Sequence, residues 1–214
     1  MFKFLAEEYV NFFTFLNLFS YITFRTGAAI LTSLFFSLIF GQIIINKLSK
    51  IQPLGQPIRN DGPETHILKK QGTPTMGGLL IILSIFISII LWGDLTNPFV
   101  IVNLLACISF GIIGFYDDFV KIKNNSSKGL KAKTRISIQI IISLLIVYLI
   151  QQNLSNSFGS SIYFPFFKNL VLDFGIFYFF VGIFIIIGSS NAVNLTDGLD
   201  GLAIVPVMIV AMSF

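Results

Sequence analysis

What most constrains this chain is a series of long stretches without a charged residue: 26–46, 71–93, 95–116 and 174–196. A fifth apolar stretch, 136–150, reaches comparable length with its flanks Arg135 and Gln151. A hydrocarbon layer of about 30 Å is crossed by about 20 apolar residues in an α-helix. Only helices and closed barrels satisfy every backbone group in lipid, and continuous apolar runs lack the alternation of a barrel strand. The 214 residues are 55% apolar and 11% charged, against about 25% charged in soluble domains, so an ordinary water-soluble domain is excluded. The sequence predicts an all-α fold, a polytopic transmembrane helical bundle with five complete spans. The last run, 202–214, covers only about 20 Å as a helix and is expected to be a truncated sixth span.

The opening MFKFLAEEYVNFF mixes one lysine and two glutamates with aromatic residues, unlike a cleaved targeting peptide. Residues 4–24 are predicted to lie as an interfacial helix with Phe and Tyr at headgroup level. The domain reading is therefore an interfacial segment, 1–25, followed by the transmembrane part, 26–214. With Cys107 the single cysteine, no intrachain disulfide can form.

The net charge of +4 matters less than its placement. Lys47, Lys50, Arg59, Lys69 and Lys70 follow the first span, and Lys121, Lys123, Lys128, Lys131, Lys133 and Arg135 follow the third. By the positive-inside rule the N-terminus is expected outside, with 47–76, 117–134 and 189–201 on the cytoplasmic face. Contact with anionic lipid explains the basic stretch 128–135 as well as a substrate phosphate does. No nucleic-acid partner is expected.

Those three segments hold the distinctive polar clusters. Asp117 and Asp118 stand at the end of the third span in GIIGFYDDFVKIK, with Lys121 at the helical spacing that pairs with either. Carboxylates at a membrane surface suit Mg2+ or a phosphate site better than zinc, and that reading is preferred to a mere flanking charge cluster. In GSSNAVNLTDGLDGLA (188–203), Asn191, Asn194, Asp197 and Asp200 recur every third residue. Gly198 and Gly201 allow close backbone approach. In ILKKQGTPTMGG (67–78), Lys69, Lys70, Thr73 and Thr75 precede a helix start, where N–H groups favour anions. From spacing alone, flanking lysines plus an N-cap are the preferred explanation of that segment. His66, the single histidine, has no partner at ligand spacing. Acids that hold a metal beside lysines that hold phosphates describe phosphoryl transfer, a chemistry of positioning and charge neutralisation. At a bilayer edge one substrate is expected to be a lipid.

GPETHILKKQGTPTMGG (62–78), GFYDDFVK (114–121) and NAVNLTDGLDGLA (191–203), in this order and at span ends, resemble the phospho-N-acetylmuramoyl-pentapeptide-transferase family, also called translocase I. The last two are shared more loosely with related polyprenyl-phosphate sugar-1-phosphate transferases. The resemblance implies Mg2+-dependent transfer of phospho-N-acetylmuramoyl-pentapeptide from UDP-N-acetylmuramoyl-pentapeptide to undecaprenyl phosphate. The products would be lipid I and UMP, in the first membrane step of peptidoglycan synthesis. It places the site on the cytoplasmic face of the bacterial inner membrane and implies a homodimer. By motif position, Asp117 and Asp118 would be catalytic and metal-binding. Lys70, Thr75, Asn194, Asp197, Gly198, Leu199 and Asp200 would bind substrate at its nucleoside end, Asn191 would also bind substrate, and Lys121 and Lys133 would meet phosphates. A further Mg2+-contacting acid and a histidine-rich loop are expected beyond residue 214. The alternatives are a relative using UDP-N-acetylglucosamine and an inactive membrane remnant. A transporter or channel is disfavoured, since all ten acids lie at span ends or in loops.

Overall fold

The computed structural model describes residues 1–53, 55, 72–126, 128–154, 160–163, 167, 170–197 and 202–213. The chain divides into two compact units, Met1–Arg135 and Ile136–Phe214. The first contains α1 (Phe2–Tyr9), a 3₁₀ segment (Thr14–Ser20), α2 (Ile22–Ile51), α3 (Gly78–Trp92), α4 (Pro98–Lys123) and the first turn of α5 (Ala132–Asn153). The second holds the rest of α5, the strands β1 (Ser161–Tyr163) and β2 (Val171–Asp173), then α6 (Phe177–Thr196) and α7 (Ile204–Met212).

Four helices, α2, α4, α5 and α6, are long and apolar enough to cross a membrane. Their apolar side chains are largely uncovered by protein: Phe184 of α6 is 78% exposed and Leu38 of α2 is 69% exposed. Such surface is stable only where lipid covers it, and the chain is a multi-pass membrane protein.

The expected second span, 71–93, is helical only over Gly78–Trp92, 15 residues, or about 22 Å. Pro74 and a left-handed Met76, with φ of 68°, keep the chain out of helix until Gly78. The run at 202–214 is the short α7, Ile204–Met212. By contrast α2, at 30 residues, spans about 45 Å, about 15 Å more than the hydrocarbon needs. Its last turns therefore carry Lys47 and Lys50 beyond the lipid. The same arithmetic applies to α4, whose apolar 98–116 run fills the hydrocarbon and leaves Asp117–Lys123 at the boundary. Asn97 caps its start, accepting from the Phe99 N–H at 2.9 Å ahead of Pro98, a pairing suited to a first turn with spare donors.

The all-α expectation needs one amendment. Ser161–Tyr163 and Val171–Asp173 pair antiparallel, Ser161 opposite Asp173. β-Branched and aromatic residues there favour extended backbone, and the Ser160 hydroxyl and the Gly175 N–H both donate to Asp173 Oδ1.

The predicted helix over 4–24 is broken as well. Phe2 lies 5.6 Å from Phe19, ring to ring, and 4.5 Å from Trp92. One continuous helix would separate positions 2 and 19 by about 25 Å, so the chain folds back through 10–13 to build this aromatic cluster. Trp92 Nε1 donates to Thr32 Oγ1 at 2.9 Å, and Lys3 Nζ meets Asp94 Oδ2 at 2.5 Å. Asp94 is held down to about 2 from the usual 3.8, first by Lys3 and then by the Thr96 hydroxyl. Because the folded state binds this proton less readily than the unfolded one, the tie is complete above about pH 4 and drains away as pH falls toward 2. Asp94→Asn is therefore expected to flatten the acid-side decline of the thermal midpoint over that window; an unchanged acid limb would contradict the tie.

Candidate active site

Three chain segments of the first unit meet at one point: the end of α2, the turn entering α3 and the end of α4. Asp117 and Asp118 are neighbours on α4, and Lys121 is one turn on. Its ammonium bridges both, 2.7 Å from Asp117 Oδ2 and 2.9 Å from Asp118 Oδ1. The helical spacing predicted pairing with either acid; the structure pairs it with both. Each remaining carboxylate oxygen also has a donor. Asp117 Oδ1 accepts from the Leu130 N–H at 2.7 Å, and Asp118 Oδ2 accepts from the Thr75 hydroxyl at 2.6 Å. The Asp117 and Asp118 side chains keep 14% and 26% of their surface open. Arg135, in the first turn of α5, adds a second positive charge acting on Asp117.

The sequence after α4 explains how Leu130 arrives there. Asn124 ends the helix and Asn125 turns left-handed, φ 45°, a conformation Asn tolerates better than most residues. The Ser126 N–H donates back to the Lys121 carbonyl at 3.1 Å, and the chain reverses over the acids. Gly129 then lies so close that a Cβ there would stand 2.3 Å from Asp117 Oδ1 and 2.7 Å from Oδ2.

Two participants were not legible in sequence. Gln52, just past α2, is buried and bonds Thr75 through both ends of its amide, Oε1 to the N–H at 2.9 Å and Nε2 to the carbonyl at 3.4 Å. Gly129 sits in a segment that reads as a basic, polar linker. No local spacing marks either residue, because their partners are 23 and 12 positions away respectively.

The second unit carries the other motif at the end of α6. Asn191 to Thr196 are helical and Asp197 caps the helix, so Asn191, Asn194 and Asp197 follow one helical edge, with Asn194 and Asp197 exposed. The Asn191 amide donates to Gln139 Oε1 of α5 at 2.9 Å and to the Ile187 carbonyl. Gln139 is buried, and the close approach of α5 and α6 is set by Gly182, where a Cβ would lie 2.7 Å from Val147 Cγ2. Lys133 is exposed in the first turn of α5. Lys70, Gly198, Leu199 and Asp200, like His66, lie outside the described residues.

Among the described residues no group of three or more His, Cys, Asp or Glu side chains gathers. Carboxylate oxygens are the hard donors that Mg2+ takes, one or two per ion with phosphate oxygen and water completing the shell, and here the Lys121 ammonium supplies the positive charge between the pair.

The glycosyl transferase family 4 model matches residues 99–214, more than half of the chain, taking in α4 from Phe99 onward and all of α6. The phospho-N-acetylmuramoyl-pentapeptide-transferase signature 1 matches residues 70–82, the turn that delivers Thr75 to Asp118 and the start of α3. The chain thus belongs to glycosyl transferase family 4, within the phospho-N-acetylmuramoyl-pentapeptide-transferase and polyprenyl-phosphate sugar-1-phosphate transferase group.

Proposed function

We propose that this protein transfers phospho-N-acetylmuramoyl-pentapeptide from its UDP-linked form to undecaprenyl phosphate, releasing UMP and forming lipid I on the cytoplasmic face of the inner membrane. The observation that carries this reading is that the muramoyl-type signature, 70–82, coincides with the turn bonded to the aspartate pair. A relative using UDP-N-acetylglucosamine would share the aspartates but not this signature turn.

In the reaction, an oxygen of the lipid phosphate forms a bond to the sugar-linked phosphorus, and the bond from that phosphorus to the UMP oxygen breaks. A phosphate monoester has its second pKa near 6, so the lipid phosphate is mostly dianionic at neutral pH and needs no strong base. Asp117, oriented by Lys121 and Leu130, aligns the attacker. Asp117 and Asp118 would hold Mg2+, which when bound neutralises charge on the departing UMP. Lys121 and Lys133 supply further positive charge.

Membranes carrying this chain, given the UDP-linked substrate and undecaprenyl phosphate, are expected to make lipid I and to exchange labelled UMP into the UDP-sugar. Good insertion without exchange would favour an inactive remnant. With substrate labelled at the sugar-linked phosphorus and no lipid acceptor, no label is expected on Asp117. A trapped phospho-aspartate there would replace direct attack with a two-step route.

A further inference from the structure

Gln52 follows the last residue of α2 and is 3% exposed. Its amide is matched to both main-chain polar groups of one residue, accepting from the Thr75 N–H at 2.9 Å and donating to the Thr75 carbonyl at 3.4 Å. Nε2 also lies 3.7 Å from Met76 Sδ. A buried amide left without partners costs about 1–3 kcal/mol, so Gln52 and the turn hold each other. The turn needs holding. Pro74 donates no N–H, and Met76 occupies the left-handed region at φ 68°, which costs a non-glycine residue about 1–3 kcal/mol and persists only where its surroundings enforce it. The product of this enforced shape is the Thr75 hydroxyl, 2.6 Å from Asp118 Oδ2.

We propose that Gln52 is a positioning residue: by clamping the N–H and the carbonyl that flank the Thr75 Cα it aims the Thr75 hydroxyl at Asp118 and fixes the orientation of the aspartate pair. Gln52 touches no reacting atom itself. The effect on turnover rests on the transferase reading above; the clamp does not.

Two measurements on the full chain in lipid vesicles separate these. In a Cys107→Ala background carrying Thr75→Cys and Asp118→Cys, mild oxidation is expected to join positions 75 and 118 rapidly. Adding Gln52→Met, which keeps length and apolar packing but removes both amide bonds, is expected to slow cross-linking about tenfold, the effect of about 1.4 kcal/mol. Gln52→Glu, which keeps the acceptor for the Thr75 N–H, falls between. In otherwise unsubstituted protein, Gln52→Met is expected to lower kcat about tenfold with KM for the UDP-linked substrate within about twofold, and Gln52→Glu to recover part of the loss. Equal cross-linking with and without Gln52→Met overturns the proposal. So does a parallel drop in thermal midpoint and turnover in both variants, which would make Gln52 purely structural. Gln52-dependent cross-linking in a chain that shows no transfer supports the clamp and overturns the transferase reading instead.

Discussion

Gly129→Ala is expected to lower sugar-phosphate transfer by about one to two orders of magnitude while the helices stay intact. The added methyl would stand 2.3 to 2.7 Å from the Asp117 carboxylate atoms, well inside contact distance, and neither partner can yield without loss. If the loop moves, the Leu130 N–H leaves Asp117 Oδ1, now 2.7 Å away. If the carboxylate moves, it leaves Lys121, now 2.7 Å from Oδ2. A hydrogen bond to a charged group contributes about 1.5–3 kcal/mol, or about 10- to 150-fold in rate when the lost interaction orients the reacting group. Turnover and thermal midpoint measured together check this. Wild-type turnover in Gly129→Ala would show that the loop does not set the carboxylate.

The second large effect is expected at Asp117→Asn, about 10²- to 10³-fold in kcat, the range for removing one preorganised electrostatic group from an active site. Both Asp117 oxygens act as acceptors, one for Leu130 and one for Lys121. An asparagine has a single acceptor oxygen, so whichever way its amide turns, its NH₂ faces a donor. The substitution thus removes a negative charge and also misplaces Lys121, which is left with Asp118 alone among these two partners. Because the lipid phosphate is already ionised, residual turnover is expected in Asp117→Asn. Turnover within about twofold of wild type would remove Asp117 from the mechanism, since even one lost hydrogen bond exceeds that.

Much of the architecture was legible in the amino-acid order because lipid enforces a simple rule: uncharged runs of sufficient length become helices. The charge boundaries at Asp117 and Lys121 marked the end of α4, and helical spacing alone placed Lys121 within reach of either acid. The departures fall where the backbone leaves the helix that an uncharged or aromatic run suggests. The uncharged run at 71–93 promised a full span, yet Pro74 and the left-handed Met76 delay the helix to Gly78. The aromatic stretch after Met1 suggested one interfacial helix, yet Phe2 and Phe19 fold back onto Trp92.

The order of residues alone specifies the helical membrane class, the family motifs and a Lys121 spaced to pair with Asp117 or Asp118, all of which depend on contacts or patterns within a few turns of chain. Packing of the folded chain is what makes Lys121 bridge both acids, lets Gln52 grip Thr75, brings Thr75 to Asp118 from 43 positions away, and seats Gly129 so that a loop closes over Asp117. The physical reason is that a buried hydrogen bond or a van der Waals limit between distant segments leaves no periodic trace in the order of residues; it exists only once the helices have packed.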